Sequence, residues 1–329
     1  MICLYVDDLM CIGDKEAVLK AVKDIQKQYT IKINEEKSDS EFIGVTYEKV
    51  GDDILISQPD TIKKLEKQFG PAVEQMKTYQ SPAGAGEHII RSKEGDHVNP
   101  EEQKNYRSGA GMLLWLMKHS RPDICNATRE ASKVMDSATM ADYKYLLRII
   151  KYILSTKDRK LKFSVTEIKE GGINWEVVAF TDSDFAGDKD TRRSVTGFII
   201  YFMGCAISWR SRSQKSVALS STEAEYYGIS DVVTELLFIK SLLEFMGVKV
   251  QLPIIVRVDN IGAIYLSDNA SSSTRTKHID TRYHFVKDYV EDGIVKIKFV
   301  KSEDNDADLF TKNLSNSDFQ KHMEKFMEG

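Results

Sequence analysis

From residue 176 onward the chain switches between two hydrophobic periodicities, and the order of the switches leaves few folds open. Residues 176–185, 195–203 and 206–210 alternate or run apolar as strands do, with Gly204 in a tight turn between the last two. Helical spacing then holds over 221–246, where Ser220 or Ser221 can cap the start and Gly247 closes the end. A strand at 253–258 runs into Asp259, helices are expected near 260–267 and 277–291, a strand at 294–300, and a helical region from residue 305. Three meandering strands, a helix, a strand, helices, a strand and a helix make an α/β layered domain of about 155 residues.

The first half reads differently. Ile2, Leu4 and Val6, then Leu9, Met10, Cys11 and Ile12, flank Asp7-Asp8 as two strands of a hairpin. Val18, Ala21, Val22 and Ile25 follow at helical spacing, 42–47 and 54–56 read as strands, and 59–69 reads as a helix stopped by Gly70-Pro71. Residues 77–104 combine Pro, Gly, Ser and charge with little periodicity, which predicts a loop or linker. Helices are expected near 105–118 and 122–135, broken at Arg121-Pro122, and near 140–155.

Charge and cysteine usage exclude several classes. Forty-six Lys and Arg against fifty Asp and Glu give a net charge of −4, so any nucleic-acid surface must be local. Cys3, Cys11, Cys125 and Cys205 stand far apart with no CxxC, which argues against a zinc site or a disulfide framework. No apolar run reaches the roughly 18 residues of a membrane span, and no secretory signal is visible. An intracellular setting, a cytoplasmic particle or the nucleus, is therefore expected.

Four acids fall where metal ligands would fall. Asp182 lies in the first strand of the second half, Glu225 near the start of the long helix, Asp259 at a strand end, and Asp308 at the start of the last helical region. Magnesium takes oxygen ligands and keeps several waters, so a few carboxylates from separate elements suffice. Taken singly, each also has a plainer reading, as a turn, a cap or a favourable helix-dipole charge.

The segment AFTDSDFAGDKDTRRSVTGFIIYFMGCAISWRSRSQKSVALSSTEAEYYGISDVVTE resembles the start of the ribonuclease H domain of Ty1/copia-type retrotransposon polyproteins. The resemblance continues through VDNIGAIYLSDN, TRTKHIDTRYHFVKDYV and NDADLFTKNL. It implies an RNase H-like five-stranded mixed sheet with flanking helices. It also implies hydrolysis of the RNA strand of RNA–DNA hybrids with two ions, Mg²⁺ or Mn²⁺, held by Asp182, Glu225, Asp259 and Asp308. Glu225 is chosen over Glu223 because Glu225-Tyr226-Tyr227-Gly228 fits the family frame of two bulky residues and a small one. Glu223 then reads as a capping acid, and Asp184 and Asp306 are neighbours that the resemblance does not select. A histidine assists the water or product release in part of the superfamily. His278 and His284 are the candidates, and membership of a basic helix is the favoured reading of His278.

Basic residues surround these acids in sequence. Arg192 and Arg193, then Arg210, Arg212 and Lys215 with Trp209 and Gln214 interleaved, then Arg275, Lys277, His278, Arg282 and Lys287 form three patches. Phosphate contacts need such cations, and a hybrid's wide minor groove offers 2′-hydroxyls to polar side chains. A solvated charged face is the alternative.

Tyr5-Val6-Asp7-Asp8 resembles the YxDD hairpin of reverse transcriptases. SQPDTIKKLEKQFG, YRSGAGMLLWLMKHSRPDICNATREASKVM and YLLRIIKYILSTKDRKLKF resemble the end of the copia reverse transcriptase and the segment joining it to RNase H. The family's polymerase uses a further upstream aspartate and fingers that this chain lacks, so Asp7 and Asp8 are expected to be vestigial and polymerase activity absent from this chain alone. The organisation expected is a truncated α+β palm at 1–76, a linker and helical thumb or connection segment at 77–165, and an RNase H domain at 166–329. The function expected is metal-dependent endonucleolytic cleavage of the hybrid by a polyprotein fragment, with other parts of the polyprotein as further partners and no membrane. The alternative is a non-catalytic nucleic-acid-binding remnant of a decayed element.

Overall fold

A computed structural model describes residues 1–31, 39–91, 95–164, 175–268 and 280–329. The chain opens with strands β1 (Ile2–Tyr5) and β2 (Asp8–Cys11), helix α1 (Lys15–Gln26), strands β3 (Asp39–Phe42), β4 (Val45–Val50) and β5 (Asp53–Ser57), and helix α2 (Pro59–Val73). Helices α3 (Pro100–His119), α4 (Cys125–Ser132) and α5 (Met140–Ser155) lead to β6 (Lys160–Phe163). The second half holds β7 (Val177–Asp184), β8 (Val195–Phe202), β9 (Cys205–Ser213), α6 (Ser221–Phe245), β10 (Ile254–Val258), α7 (Ile261–Asp268), α8 (Asp280–Glu291) and β11 (Val295–Phe299). Helices α9 (Asp308–Thr311) and α10 (Asn316–Met323) and strand β12 (Met327–Glu328) complete it.

Five strands of the second half form one sheet in the order β11-β10-β7-β8-β9. β7, β8 and β9 are antiparallel neighbours, whereas β10 runs parallel to both β7 and β11. This is the RNase H-like mixed sheet implied by the resemblance. Its long helix is capped where the sequence placed the cap: the Ser220 hydroxyl accepts from the Glu223 amide at 3.1 Å, and Gly247 takes φ +81° past the end.

Strand alternation divides the sheet between two cores. Phe198 and Ile200 face α6 and join Val177, Ala179, Val232, Leu236 and Val256 in one apolar cluster. Ile199 and Tyr201 face the other way, into a cluster that includes Leu113, Leu116, Ile124, Leu146 and Ile150 of the helices in the first half. The far face of the nuclease-like sheet is therefore covered by α3, α4 and α5. Trp209 Nε1 donates to the Met117 carbonyl at 2.7 Å and Asn126 Nδ2 to Asn313 Oδ1 at 2.9 Å across this junction. A second sheet has the order β12-β6-β5-β4-β3, so the last strand of the chain pairs with a strand of the first half.

Local geometry departs from the sequence reading in four places. The first hairpin turns at Val6-Asp7 rather than Asp7-Asp8, with Tyr5 paired to Asp8 and Val6 at φ 53°. The stretch 42–47 is a hairpin rather than one strand, because Ile43 (φ 52°) and Gly44 (φ 67°) form its two-residue turn. Helix α2 continues through Gly70 and Pro71 to Val73. Pro71 forfeits one backbone hydrogen bond, but Phe69 and Val73, each 2% exposed, keep the inner face buried on both sides of it. Helix α3 starts inside the expected linker, at Pro100, where Asn99 and Glu102 form a capping box. No helix among the described residues is long and apolar enough to cross a membrane.

Candidate metal centre

Asp182 and Asp259 meet because β7 and β10 are parallel neighbours. Arg257 pairs with Phe180, and two residues further along each strand stand Asp259 and Asp182. Glu225 arrives from α6, whose approach to β7 depends on a missing side chain: a Cβ on Gly228 would lie 2.9 Å from both the Ser183 and Thr181 hydroxyl oxygens. One carboxylate oxygen each from Asp182, Glu225 and Asp259 lie within 4.8 Å of one another. Asp182 and Glu225 are 4% and 5% exposed.

Asp308 stands beside this triad and is held differently. Asn305 Nδ2 donates to the Thr181 carbonyl at 3.1 Å, which fixes the turn into α9 against β7. The Thr311 hydroxyl donates to Asp182 Oδ2, while Lys312 Nζ lies 2.9 Å from Asp308 Oδ2 and 3.9 Å from Asp182 Oδ2. Asp308 and Thr311 stand one turn apart in α9, at i and i+3, and Lys312 follows at i+4 as the extended residue that ends the helix. That spacing is the signal by which Thr311 and Lys312 were findable in sequence; only the carboxylates drew attention there.

Crowding of like charges in a dry pocket disfavours ionisation. Burial, then the Asp182 and Asp259 charges, push Glu225 up to about 9. Burial and Asp182 push Asp308 up to about 7 against the pull of Lys312. Burial and Asp182 also raise Asp259, opposed by the Ser302 hydroxyl and Lys312. Glu225 Oε2 and Asp308 Oδ1 are buried without a hydrogen-bond partner among the described residues. Such orphaned anionic oxygens fit a divalent cation that prefers oxygen ligands.

The other acids have separate duties. Glu223 accepts from the Leu219 amide at 2.8 Å and from the Tyr227 hydroxyl at 2.9 Å, at the start of α6. Asp306 is enclosed by the Tyr201 hydroxyl at 3.0 Å, His322 Nδ1 at 2.9 Å and Lys325 Nζ at 2.5 Å. Burial raises Asp184, which His88 opposes and Asp182 reinforces. Asp7 and Asp8 are exposed on the β1–β2 hairpin and take no part in the triad.

The basic residues are distributed unevenly. Arg192 and Arg193 are exposed in the β7–β8 loop, and Arg212 and Lys215 are exposed at and beyond the end of β9. Arg210 pairs with Glu235 at 2.9 Å and stacks over Phe198. Arg282 pairs with Asp231 at 3.0 Å and stacks over Tyr227. Gln214 is turned inward, its Nε2 donating to Thr196 Oγ1 and the Ala224 carbonyl at 2.9 Å each. Trp209 likewise faces α3. His284 lies on α8, and Arg275, Lys277 and His278 fall outside the described residues.

No protein-family model matches the chain. It is 31% identical over 326 residues, 97% of its length, to the retrovirus-related Pol polyprotein from transposon TNT 1-94 of Nicotiana tabacum. Identity to the Pol polyprotein from transposon RE1 of Arabidopsis thaliana is 31% over 323 residues, 98% of the chain. The chain spans 24% and 21% of those two polyproteins. A foamy viral protease-reverse transcriptase solved with an RNA/DNA hybrid overlays 92% of this chain and 36% of its own, at 12% identity and a TM-score of 0.48. With near-complete coverage by two transposon polyproteins, the chain belongs to the Pol polyproteins of Ty1/copia-type retrotransposons.

Proposed function

We propose that the second half of this chain hydrolyses the RNA strand of RNA–DNA hybrids with divalent cations, Mg²⁺ or Mn²⁺, held by Asp182, Glu225, Asp259 and Asp308. The observation that carries this reading is the meeting of Asp182, Glu225 and Asp259 within 4.8 Å, two of them buried. An all-oxygen anionic donor set with unpartnered buried oxygens on Glu225 and Asp308 suits a hard cation. Bound there, two such ions supply Lewis acidity for a water attacking the phosphodiester and charge balance for the departing 3′-oxygen.

The side chains of this chain supply position. Asp182 belongs to the triad and also lies beside the Asp308–Lys312 pair, so it would help to hold a cation on either side. Thr311 fixes the orientation of the Asp182 carboxylate by donating to Oδ2. The apolar faces of β7, β8 and α6 behind the cluster keep water to the open side. Arg192, Arg193, Arg212 and Lys215 are exposed and would contact phosphates, a role this reading extends to Lys277 and His278. Arg210 and Arg282 would exchange Glu235 and Asp231 for phosphate, and Gln214 would act by holding the start of α6. Under this reading residues 1–76 are the palm portion, which carries Asp7 and Asp8, 77–165 the connection and 166–329 the nuclease.

The test is a hybrid with labelled RNA, bound in EDTA and then given Mg²⁺. Shortened RNA, with duplex DNA left intact, supports the reading. Binding without product in Mg²⁺ or Mn²⁺ would make the chain a non-catalytic binder.

A further inference from the structure

Two carboxylates of the cluster are already neutralised by the chain itself. Lys312 Nζ lies 2.9 Å from Asp308 and 3.9 Å from Asp182, in side chains only 10% and 6% exposed. An ammonium at hydrogen-bond distance from one acid and within reach of the next stands where a second cation bound by those acids would have to stand. Lys312 sits closest to Asp308, reaches Asp182 of the triad only at 3.9 Å, and leaves Glu225 Oε2 unpartnered among the described residues. The two halves of the centre are therefore unequal before any ion arrives.

We infer that Lys312 is a resident counter-cation that keeps the second ion position closed until nucleic acid arrives. This inference rests on the proposed function of the same centre. One divalent ion loads at the triad, and the position between Asp182 and Asp308 fills only when the ammonium leaves. The side chain is built to leave: it is a flexible four-carbon stem on the residue just past the end of α9, in extended backbone, and it is 38% exposed. A phosphate of a bound strand is an alternative anion for it. Displacement by the ion alone would strip the ammonium of its carboxylate partners, a loss that is offset when it finds a new anion. Binding of the strand and completion of the centre thus become linked through one side chain, and the reciprocal effect, tighter strand binding when the second ion is present, follows by linkage.

The experiment is Mn²⁺ titration of the full chain without nucleic acid, with free ion followed by its paramagnetic resonance signal. Wild type is expected to bind one ion. Lys312→Met is expected to bind two, or to tighten the second at least ten-fold, and Lys312→Arg to behave as wild type. Lys312→Gln keeps a donor for Asp308 without the charge and is expected to gain the second ion too; it decides the matter if Lys312→Met does not fold. Two ions on wild type, or no gain in either neutral variant, overturns the inference and leaves the nuclease reading standing. No Mn²⁺ on wild type, with Glu225→Gln indistinguishable from it, overturns the nuclease reading itself.

Discussion

Gly197 of β8 and Phe310 of α9 touch so closely that a Cβ on the glycine would stand 2.8 Å from the Phe310 Cβ, and 2.7 Å from the Thr311 Cγ2. Gly197 is also the cross-strand partner of Asp182. The missing side chain is what lets α9 bring Asp308, Thr311 and Lys312 against the triad. Gly197→Ala is expected to lose about 1–3 kcal/mol from overpacking and to weaken cleavage as α9 is pushed off the sheet. Thermal unfolding checks the first and a hybrid assay the second; unchanged values in both would show that α9 has room to move.

Divalent ions should stabilise the folded chain, since they bind the assembled carboxylates and not the dispersed ones. Saturation at about a hundred times the dissociation constant adds roughly 2.7 kcal/mol. Melting in Mn²⁺ should therefore exceed melting in EDTA by a few degrees. Glu225→Gln is expected to abolish most of that difference, and a full shift in the variant would remove Glu225 from the ligand set.

Glu130 should set part of the acid sensitivity. Burial works against its charge, but His88 at 3.7 Å, Arg129 and Lys133 outweigh burial and hold it down at about 2, from 4.5. A carboxylate depressed on folding stabilises above its unfolded value and loses that contribution as pH falls through the folded one. Stability is thus expected to fall between about pH 5 and pH 2. Glu130→Gln strands the Arg129 charge, while Lys133 keeps Asp188 at 2.9 Å; it should cost about 3 kcal/mol near neutrality and should flatten the acid limb. Denaturant unfolding from pH 7 to pH 3 checks the slope.

A piece limited to 175–329 should not fold as the full chain does. It would expose Ile199, Tyr201, Ala206, Leu309 and Phe310, all less than 9% exposed in the full chain, and would leave β12 without β6. Urea unfolding is expected to show a broad or absent transition for the piece. A cooperative transition with native-like cleavage would mean that α3, α4 and α5 are a dispensable cover.

How far these features were legible in sequence follows from what each signal carries. Period-2 and period-3.6 patterns marked the nuclease-like sheet and α6 because each element buries its own face. The same patterns could not say which partner covers a face, so the packing of Ile199 and Tyr201 on α3, α4 and α5 was not readable, nor was the β12–β6 pairing across more than 160 positions. Asp182, Glu225 and Asp259 stood out as acids at strand ends and a helix start. Gln214 and Trp209 read as members of a basic patch, yet alternation along and beyond β9 turns them toward α6 and α3. Gly197 and Gly228 carry no side-chain signal; only the close approach of α9 and α6 reveals what they do.

The most direct measurement compares wild type and Asp259→Asn on a hybrid carrying labelled RNA, in Mg²⁺, with binding and circular dichroism followed in parallel. Wild type is expected to shorten the RNA, and Asp259→Asn to bind the hybrid and keep its fold while leaving the RNA intact. Equal cleavage by the two proteins would contradict the assignment of the carboxylate cluster as the catalytic centre.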